Sequence, residues 1–293
     1  MQKYEINIIL MKIREKIFFK AFIAAMLIFG INGSAKAQID VKQDTIECHI
    51  IGFNIGLRMP SSHISIGTAP DGSVSTDATM SALYKSPWMD YGVNCIYKYK
   101  SNWLVSYDMN LWFGNDNLRN RVERMGSVFS RDSVVIGSNG TDATVTCFNR
   151  GFGLMGGVGK IFTVNPEKNP NSGILARLNA GYMRQQTIFM INYEHAPQID
   201  GDYANLYDHQ RHGLMLSQSV GYWYMSTRAN LVNLYVELGV SECWSRSTRD
   251  YTIDNVLGLH GPDQSRYFDL MYTLKFSWMF PLKGKTAHDY YFY

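Results

Sequence analysis

The sequence predicts an all-β protein, a closed antiparallel transmembrane β-barrel of eight strands with long extracellular loops and short periplasmic turns. Three observations lead there. Long stretches alternate apolar and polar residues with a period of two, the pattern of a strand with one oily and one polar face. The chain begins with an export signal. The connections alternate long and short, so that the long ones gather on one rim.

Alternation is clearest from Leu231 to Trp244, where Val232, Leu234, Val236, Leu238 and Val240 oppose Asn233, Tyr235, Glu237, Gly239 and Ser241. The final apolar segment repeats it, with Tyr272, Leu274, Phe276, Trp278 and Phe280 opposed to Thr273, Lys275, Ser277 and Met279. Bulky apolar residues on one face suit lipid, and polar ones on the other suit a hydrogen-bonded lumen.

In chain order, the first element is the signal. Lys12, Arg14, Lys16 and Lys20 precede an apolar run from Ala21 to Ile31, and Ser34-Ala35-Lys36-Ala37 supplies small residues at the cleavage positions. This reads as a cleavable secretory peptide ending at Ala37, with Met11 as an alternative start. The run is shorter than the roughly 20 residues of a spanning helix. Cys does not follow the cleavage site, which argues against a lipoprotein. No later stretch is apolar for long enough to make a helix across a bilayer, leaving strands as the spanning elements.

Residues 1–37 hold six of the 28 Lys and Arg and two of the 25 Asp and Glu, so the mature chain is near neutral, with 22 basic against 23 acidic residues. That excludes the basic stripe expected of a nucleic-acid binder. Cys48, Cys95, Cys147 and Cys243 are too scattered for a disulfide scaffold and form no C-x-x-C pair. Cys95 shares its face with Tyr91, Val93, Tyr97 and Tyr99 and reads as a small lipid-facing residue.

A periplasmic segment 38–47 leads to the barrel, 48–281. Alternation and turn signals place strands near 50–59, 88–99, 103–114, 147–164, 174–190, 213–226, 231–244 and 265–281. Each is long enough for a tilted span of about 9 to 11 residues. The connections 60–87, 115–146, 191–212 and 245–264 are long; 100–102, 165–173 and 227–230 are shorter. With an even strand number both termini fall in the periplasm. Residues 282–293 form a periplasmic tail. The fourth strand, blurred by Asn149, Arg150 and many glycines, is expected either to run beyond the membrane or to be broken by a bulge.

The same parity assigns the inward face: Asn54, Arg58, Asn94, Lys98, Ser106, Asp108, Asn110, Asn149, Arg177, Asn179, Ser217, Ser219, Asn233, Glu237, Thr273 and Lys275. Eight strands leave room only for side chains, so Arg58, Arg177 and Lys275 are expected to pair with Asp108 and Glu237 in a plug that leaves no useful pore. Gly52, Gly56, Gly151, Gly153, Gly157, Gly159 and Gly181 make room for Trp112, Met155 and Trp223. The run Gly151 to Gly159 superficially suggests a phosphate loop, but lacks the Lys-Ser/Thr ending and the following helix. Outward, Trp88, Tyr91, Tyr97, Tyr99, Trp103, Tyr107, Phe113, Tyr182, Tyr222 and Tyr224 are expected to form aromatic girdles.

With these elements in place the chain resembles, in architecture rather than residue identity, the small outer-membrane barrels of the OmpA/OmpX-like class across residues 48–281. Two stretches are also similar to barrel proteins of bacteria that carry the type IX secretion system. One is Pro197-Gln198-Ile199-Asp200-Gly201-Asp202-Tyr203 with Tyr207-Asp208; the other is the ending, Phe280-Pro281 followed by a basic linker and Asp289-Tyr290-Tyr291-Phe292-Tyr293. The ending departs from the usual barrel pattern because its terminal aromatics lie beyond the last strand, so either Phe280 or Tyr290 to Tyr293 serves assembly. The resemblance implies outer-membrane lipid and lipopolysaccharide around the wall, the barrel assembly machinery during biogenesis, and envelope or secretion proteins as partners. It assigns no catalytic residue, metal or cofactor.

Chemistry-bearing residues gather in the third long loop: Glu194, His195, Asp200, Asp202, Asp208, His209 and His212. Their spacing fits no zinc signature, and Asp200 and Asp202 lack the ligand series of a calcium loop. Asp202, Asp208, His209 and His212 are the rim candidates for an acid/base or hydrolase site. Ser217 and Ser219 have no G-x-S-x-G context and read as lumen residues. Arg119, Arg121, Arg124 and Arg131 give the second long loop a basic cluster that suits a solvated face or anionic lipopolysaccharide. The leading expectation is a non-enzymatic barrel displaying loops or its tail as a scaffold, adhesin-like or secretion-associated component. The alternatives are a rim-located protease or lipid-modifying hydrolase, and a narrow channel.

Overall fold

A computed structural model describes residues 45–68, 74–80, 87–115, 125, 135–192, 195–226, 233–254, 259–261 and 265–282. The export signal, all of the tail beyond Leu282, Glu194, and the Arg119, Arg121, Arg124 and Arg131 cluster lie outside the described residues. In chain order the strands are β1 (Cys48–Thr68), β2 (Val74–Met80), β3 (Trp88–Lys98), β4 (Trp103–Asn115), β5 (Val135–Ile136), β6 (Asp142–Thr163), β7 (Gly173–Asn192), β8 (Arg211–Tyr224), β9 (Leu234–Ser247), β10 (Thr252–Asp254), β11 (Leu259–Gly261) and β12 (Arg266–Leu282).

Eight of these close a ring. The order β1-β3-β4-β6-β7-β8-β9-β12 follows the chain, β12 pairs back onto β1, and each successive pairing from β1 to β12 is antiparallel. Followed through successive pairings, Ile50 leads to Ile96, Ser106, Gly157, Asn179, Ser217, Ser241 and Met271. Where β12 meets β1, Gly56 lies against Lys275. The circuit therefore returns displaced along the strand by about ten residues, which tilts the strands about 40° from the barrel axis.

The strands outrun the membrane they cross. At that tilt the 22 residues of β6 span about 50 Å along the axis, twice the apolar band of about 25 Å. The β6–β7 register is unbroken from Thr144↔Asn192 to Thr163↔Gly173, so the fourth barrel strand extends beyond the membrane and carries no bulge. The first long connection also prolongs the sheet, through a β1–β2 hairpin from Ser62↔Met80 to Thr68↔Val74. At the opposite rim β3 turns into β4 through Asn102, whose φ of +61° suits an Asn in a tight turn; Tyr99 N donates to Trp103 O at 2.9 Å.

Side-chain alternation follows the ring. Leu238, Val220, Leu178, Val158 and Tyr107 are exposed at mid-wall, while Glu237, Ser219, Arg177, Ser106 and Asp108 on the other face are buried. Aromatics edge the apolar wall: Tyr99, Trp103, Phe162, Tyr224 and Trp278 toward the short turns, and Tyr91, Phe113, Tyr182 and Trp244 toward the long loops. Lys160 Nζ sits 4.9 Å over the Trp103 ring, its stem covering the wall at the interface. Trp88 departs from expectation. It is 4% exposed and faces inward, on the same side as Asp90 and Asn94, because the period of two counts it against Tyr91. Its indole lies over Gly114 of β4, where an added Cβ would fall 1.7 Å from the ring.

Candidate functional site

The lumen is filled in layers. In the middle layer Arg177 of β7 reaches Asp108 of β4 across the intervening β6. Gly159 makes this crossing available, since a Cβ there would meet Arg177 Cγ at 2.7 Å. The guanidinium pairs with Asp108 Oδ2 at 2.5 Å and Glu237 Oε2 at 3.3 Å, and donates to Ser106 Oγ at 3.0 Å and Tyr235 Oη at 3.2 Å. Ser219 Oγ donates to the same Glu237 oxygen at 3.0 Å. Asn94 Nδ2 donates to Tyr235 Oη at 2.7 Å, and Lys275 Nζ to Asn110 Oδ1 at 3.2 Å. Lys275 thus meets an amide where a carboxylate was expected, although Glu237 is its cross-strand partner, because Glu237 turns toward Arg177.

Arg58 pairs not with Asp108 or Glu237 but with Asp90, a residue the sequence reading left out. Its Nε and Nη2 donate to Asp90 Oδ2 at 3.0 and 2.5 Å, and both side chains are wholly buried. The guanidinium carbon lies 4.4 Å from the Trp112 ring centre, and Nη1 lies 3.7 Å from Met271 Sδ and 3.9 Å from Met215 Sδ. Trp88, Trp112, Met155, Met183, Met215, Cys243 and Met271 pack as one cluster around this pair. A soft apolar layer with a charge pair at its edge therefore lies on the long-loop side of the polar network. Above it Arg211 pairs with Asp269 at 2.9 Å.

The short-turn end is closed by local hydrogen bonds. Lys98 Nζ donates to Ile46 O at 2.9 Å and Asn171 Oδ1 at 3.0 Å, and Ile46 N also donates to Asn171 Oδ1 at 2.8 Å. Asn102 Nδ2 reaches Pro170 O at 2.9 Å, and Trp223 stacks on Tyr235 at 5.6 Å.

At the other end the long loops carry a second core. Met125, Val135, Ala143, Val145, Cys147, Ala196, Ile199 and Tyr207 are buried together, with Phe189, Ile191, Leu206 and Ile253 packed against them. Burial pushes the Tyr207 phenol above its ordinary pKa, because the phenolate loses its water there. Bonds to backbone carbonyls fasten this cap: Ser138 N donates to His195 O at 2.7 Å, the Gln198 side-chain Nε2 to Ile136 O at 2.6 Å and Thr187 N to Asp208 O at 2.9 Å.

The four rim candidates are drawn to different tasks. Asp208 is buried and paired with Arg249, whose Nε donates to its Oδ1 at 2.9 Å. His209 is buried with φ of +46°. His212 lies on the outer wall between Tyr182 and Arg246, and Asp202 is exposed. Ser217 and Ser219 line the lumen. Among the described residues no group of three His, Cys, Asp or Glu could hold a metal ion.

No family model matches the chain. Nor does any curated protein. Among solved structures it is similar to Ail, the attachment invasion locus protein of Yersinia pestis, at 11% identity over 79% of this chain and 99% of that one, TM-score 0.32. It is also similar to OprG, an outer membrane protein of Pseudomonas aeruginosa, at 13% identity over 82% and 99%, TM-score 0.36, and to Neisserial surface protein A at 7% over 78% and 95%, TM-score 0.28. A closed ring of eight antiparallel strands, a hydrogen-bonded filling and an apolar wall edged with aromatics give this chain the architecture of the small OmpA/OmpX-like transmembrane barrels.

Proposed function

We propose that the protein is a non-enzymatic integral barrel of the outer membrane whose sealed wall holds a folded loop platform outside the bilayer for protein or envelope partners. The observation that carries this reading is the loop-side core around Ile199 and Tyr207, a packed layer beyond the span needed to cross a membrane. Loops that only connect strands gain nothing from a core of their own. The lumen network of Arg58, Asp108, Arg177, Glu237 and Lys275 serves as the plug that makes the wall rigid, and export through the signal at 1–37 and insertion by the barrel assembly machinery would deliver the chain. A rim hydrolase is disfavoured by the Asp208–Arg249 pair and by the outward position of His212, and a narrow channel by the filled lumen.

The test compares tagged wild type with the platform variant Ile199→Asp, purified from native outer membranes in mild detergent. Partners at stoichiometric level that disappear with the variant, while the barrel stays folded, support the platform. Binding and secretion phenotypes left unchanged by removal of the long loops would refute it.

A further inference from the structure

Three arginines and a histidine stand in one row on the outer face. Arg184 of β7 is the cross-strand partner of His212 of β8, His212 of Arg246 of β9, and Arg246 of Arg266 of β12. Arg150 of β6, also exposed, flanks the row two residues from Phe152, the partner of Arg184. The side chains two residues nearer the mid-wall are Tyr182, Leu214, Trp244 and Phe268. Each member of the row therefore stands just beyond an apolar or aromatic group at the long-loop edge of the lipid band. With strands tilted about 40°, the row climbs about 10 Å from Arg184 to Arg266.

Among the described residues the row has no ion-paired carboxylate. Among the described residues Arg150, Arg184 and Arg266 have no ion pair. On this part of the outer face the nearest carboxylate along β9 is Glu242, four residues below Arg246 and half-buried toward the lipid side. Arg246 Nε donates to His212 Nε2 at 3.4 Å, and His212 Nδ1 lies 3.2 Å from Tyr182 Oη. His212 acts as a spacer that steadies Arg246, whose side chain remains exposed. Guanidinium groups at this depth match phosphate, and the apolar wall beneath matches acyl chains. A phosphorylated glycolipid offers both in one molecule, whereas a free anion would use only the upper half.

We propose that Arg184, Arg246 and Arg266, flanked by Arg150 and steadied by His212 and Tyr182, form a binding strip for the phosphates of a phosphorylated glycolipid of the outer leaflet, its acyl chains lying along Leu214, Trp244 and Phe268. This rests on the outer-membrane reading above.

The test titrates the detergent-folded full chain with diphosphoryl lipid A, with dephosphorylated lipid A, and with inorganic phosphate as competitor. Wild type is expected to bind the diphosphoryl form, to bind the dephosphorylated form at least about tenfold more weakly, and to be indifferent to inorganic phosphate at millimolar level. The triple variant Arg184→Gln, Arg246→Gln, Arg266→Gln loses on the order of a hundredfold in affinity, since each basic group near a charged lipid surface contributes about fivefold. The triple Lys variant retains most of the binding. Heat-modifiable mobility on gels checks that each variant is folded; if the triple variant is not, Arg184→Gln and Arg266→Gln singly are each expected to lose about fivefold. Equal binding by wild type and the Gln variants, equal binding of the two lipid A forms, or full competition by inorganic phosphate would overturn the proposal. Density-gradient fractionation of wild type is a separate arm: recovery with the inner membrane refutes the outer-membrane reading and with it the lipid source, whatever the titration gives.

Discussion

Replacing Asp90 by Asn isolates the buried charge of Arg58. The two side chains are wholly buried, and the pair is bidentate on one oxygen at 2.5 and 3.0 Å. For charge centres about 4 Å apart at an effective dielectric constant of about 20, the direct attraction is about 4 kcal/mol. Asn keeps the shape and an acceptor oxygen but not the charge, so the guanidinium keeps its desolvation cost and loses most of this compensation. Breaking such a pair from one side destabilises by about 3 to 5 kcal/mol. The cation–π contact with Trp112 at 4.4 Å, about 2 kcal/mol at a desolvated site, remains and limits the loss to the lower half of that range. The assay is urea unfolding of the protein in lipid vesicles, followed by tryptophan fluorescence and by heat-modifiable mobility. The double variant Arg58→Met, Asp90→Leu removes both charges into a layer already lined by Met215 and Met271, and is expected to recover most of the loss. A single variant within about 0.5 kcal/mol of wild type, or a double variant no better than the single, would refute the reasoning.

Three further outcomes are expected. Wild type in planar bilayers is expected to give no discrete conductance, and Arg58→Ala combined with Trp112→Ala, which empties only the layer above the polar network, is expected to stay closed because the Arg177 network and the short-turn end remain filled; steps from wild type would show that the filling leaks. Gly151→Val meets Trp112, whose Nε1 lies 2.3 Å from where a Cβ would stand, so this variant loses at least about 1 to 3 kcal/mol in the same unfolding assay. Ile199→Asp places a carboxylate in the loop core and is expected to expose 196–207 to protease while the barrel keeps its heat-modifiable shift; simultaneous loss of both would mean that cap and barrel fold as one unit.

The period of two was enough to place all eight barrel strands and the buried faces of Asn54, Arg177, Glu237 and Lys275, because a strand exposed to lipid on one side must alternate along its length. It stated a face and not a neighbour. Asp90 was legible as inward by its parity with Asn94, yet its bond to Arg58 depends on a diagonal contact beside the Arg58↔Trp88 and Gly56↔Asp90 pairings, which only the register supplies. Trp88 shows the opposite error: residue type suggested an interfacial girdle, and parity, which placed it inside, was the better guide. The outward basic row was hidden for the same reason as Asp90, since Arg184, His212, Arg246 and Arg266 lie far apart in sequence and meet only through three pairings. The loop core left only a short periodic signal, the alternation of Ala143, Val145 and Cys147 on β6. Met125, Val135, Ile199 and Tyr207 come from separate segments without helical or strand periodicity, and their burial comes from long-range packing.

Hydrogen exchange of the protein in lipid nanodiscs, read by mass spectrometry, tests most directly whether a sealed wall carries a folded platform. Slow exchange is expected in the membrane-spanning parts of the barrel strands, in the loop-side extensions 143–147 of β6 and 189–191 of β7, and in 196–207, with Ile199→Asp releasing only the last three. Exchange of those loop-side segments at the rate of an unstructured peptide, beside a protected membrane-spanning barrel, would contradict the platform and leave a plain barrel with open loops.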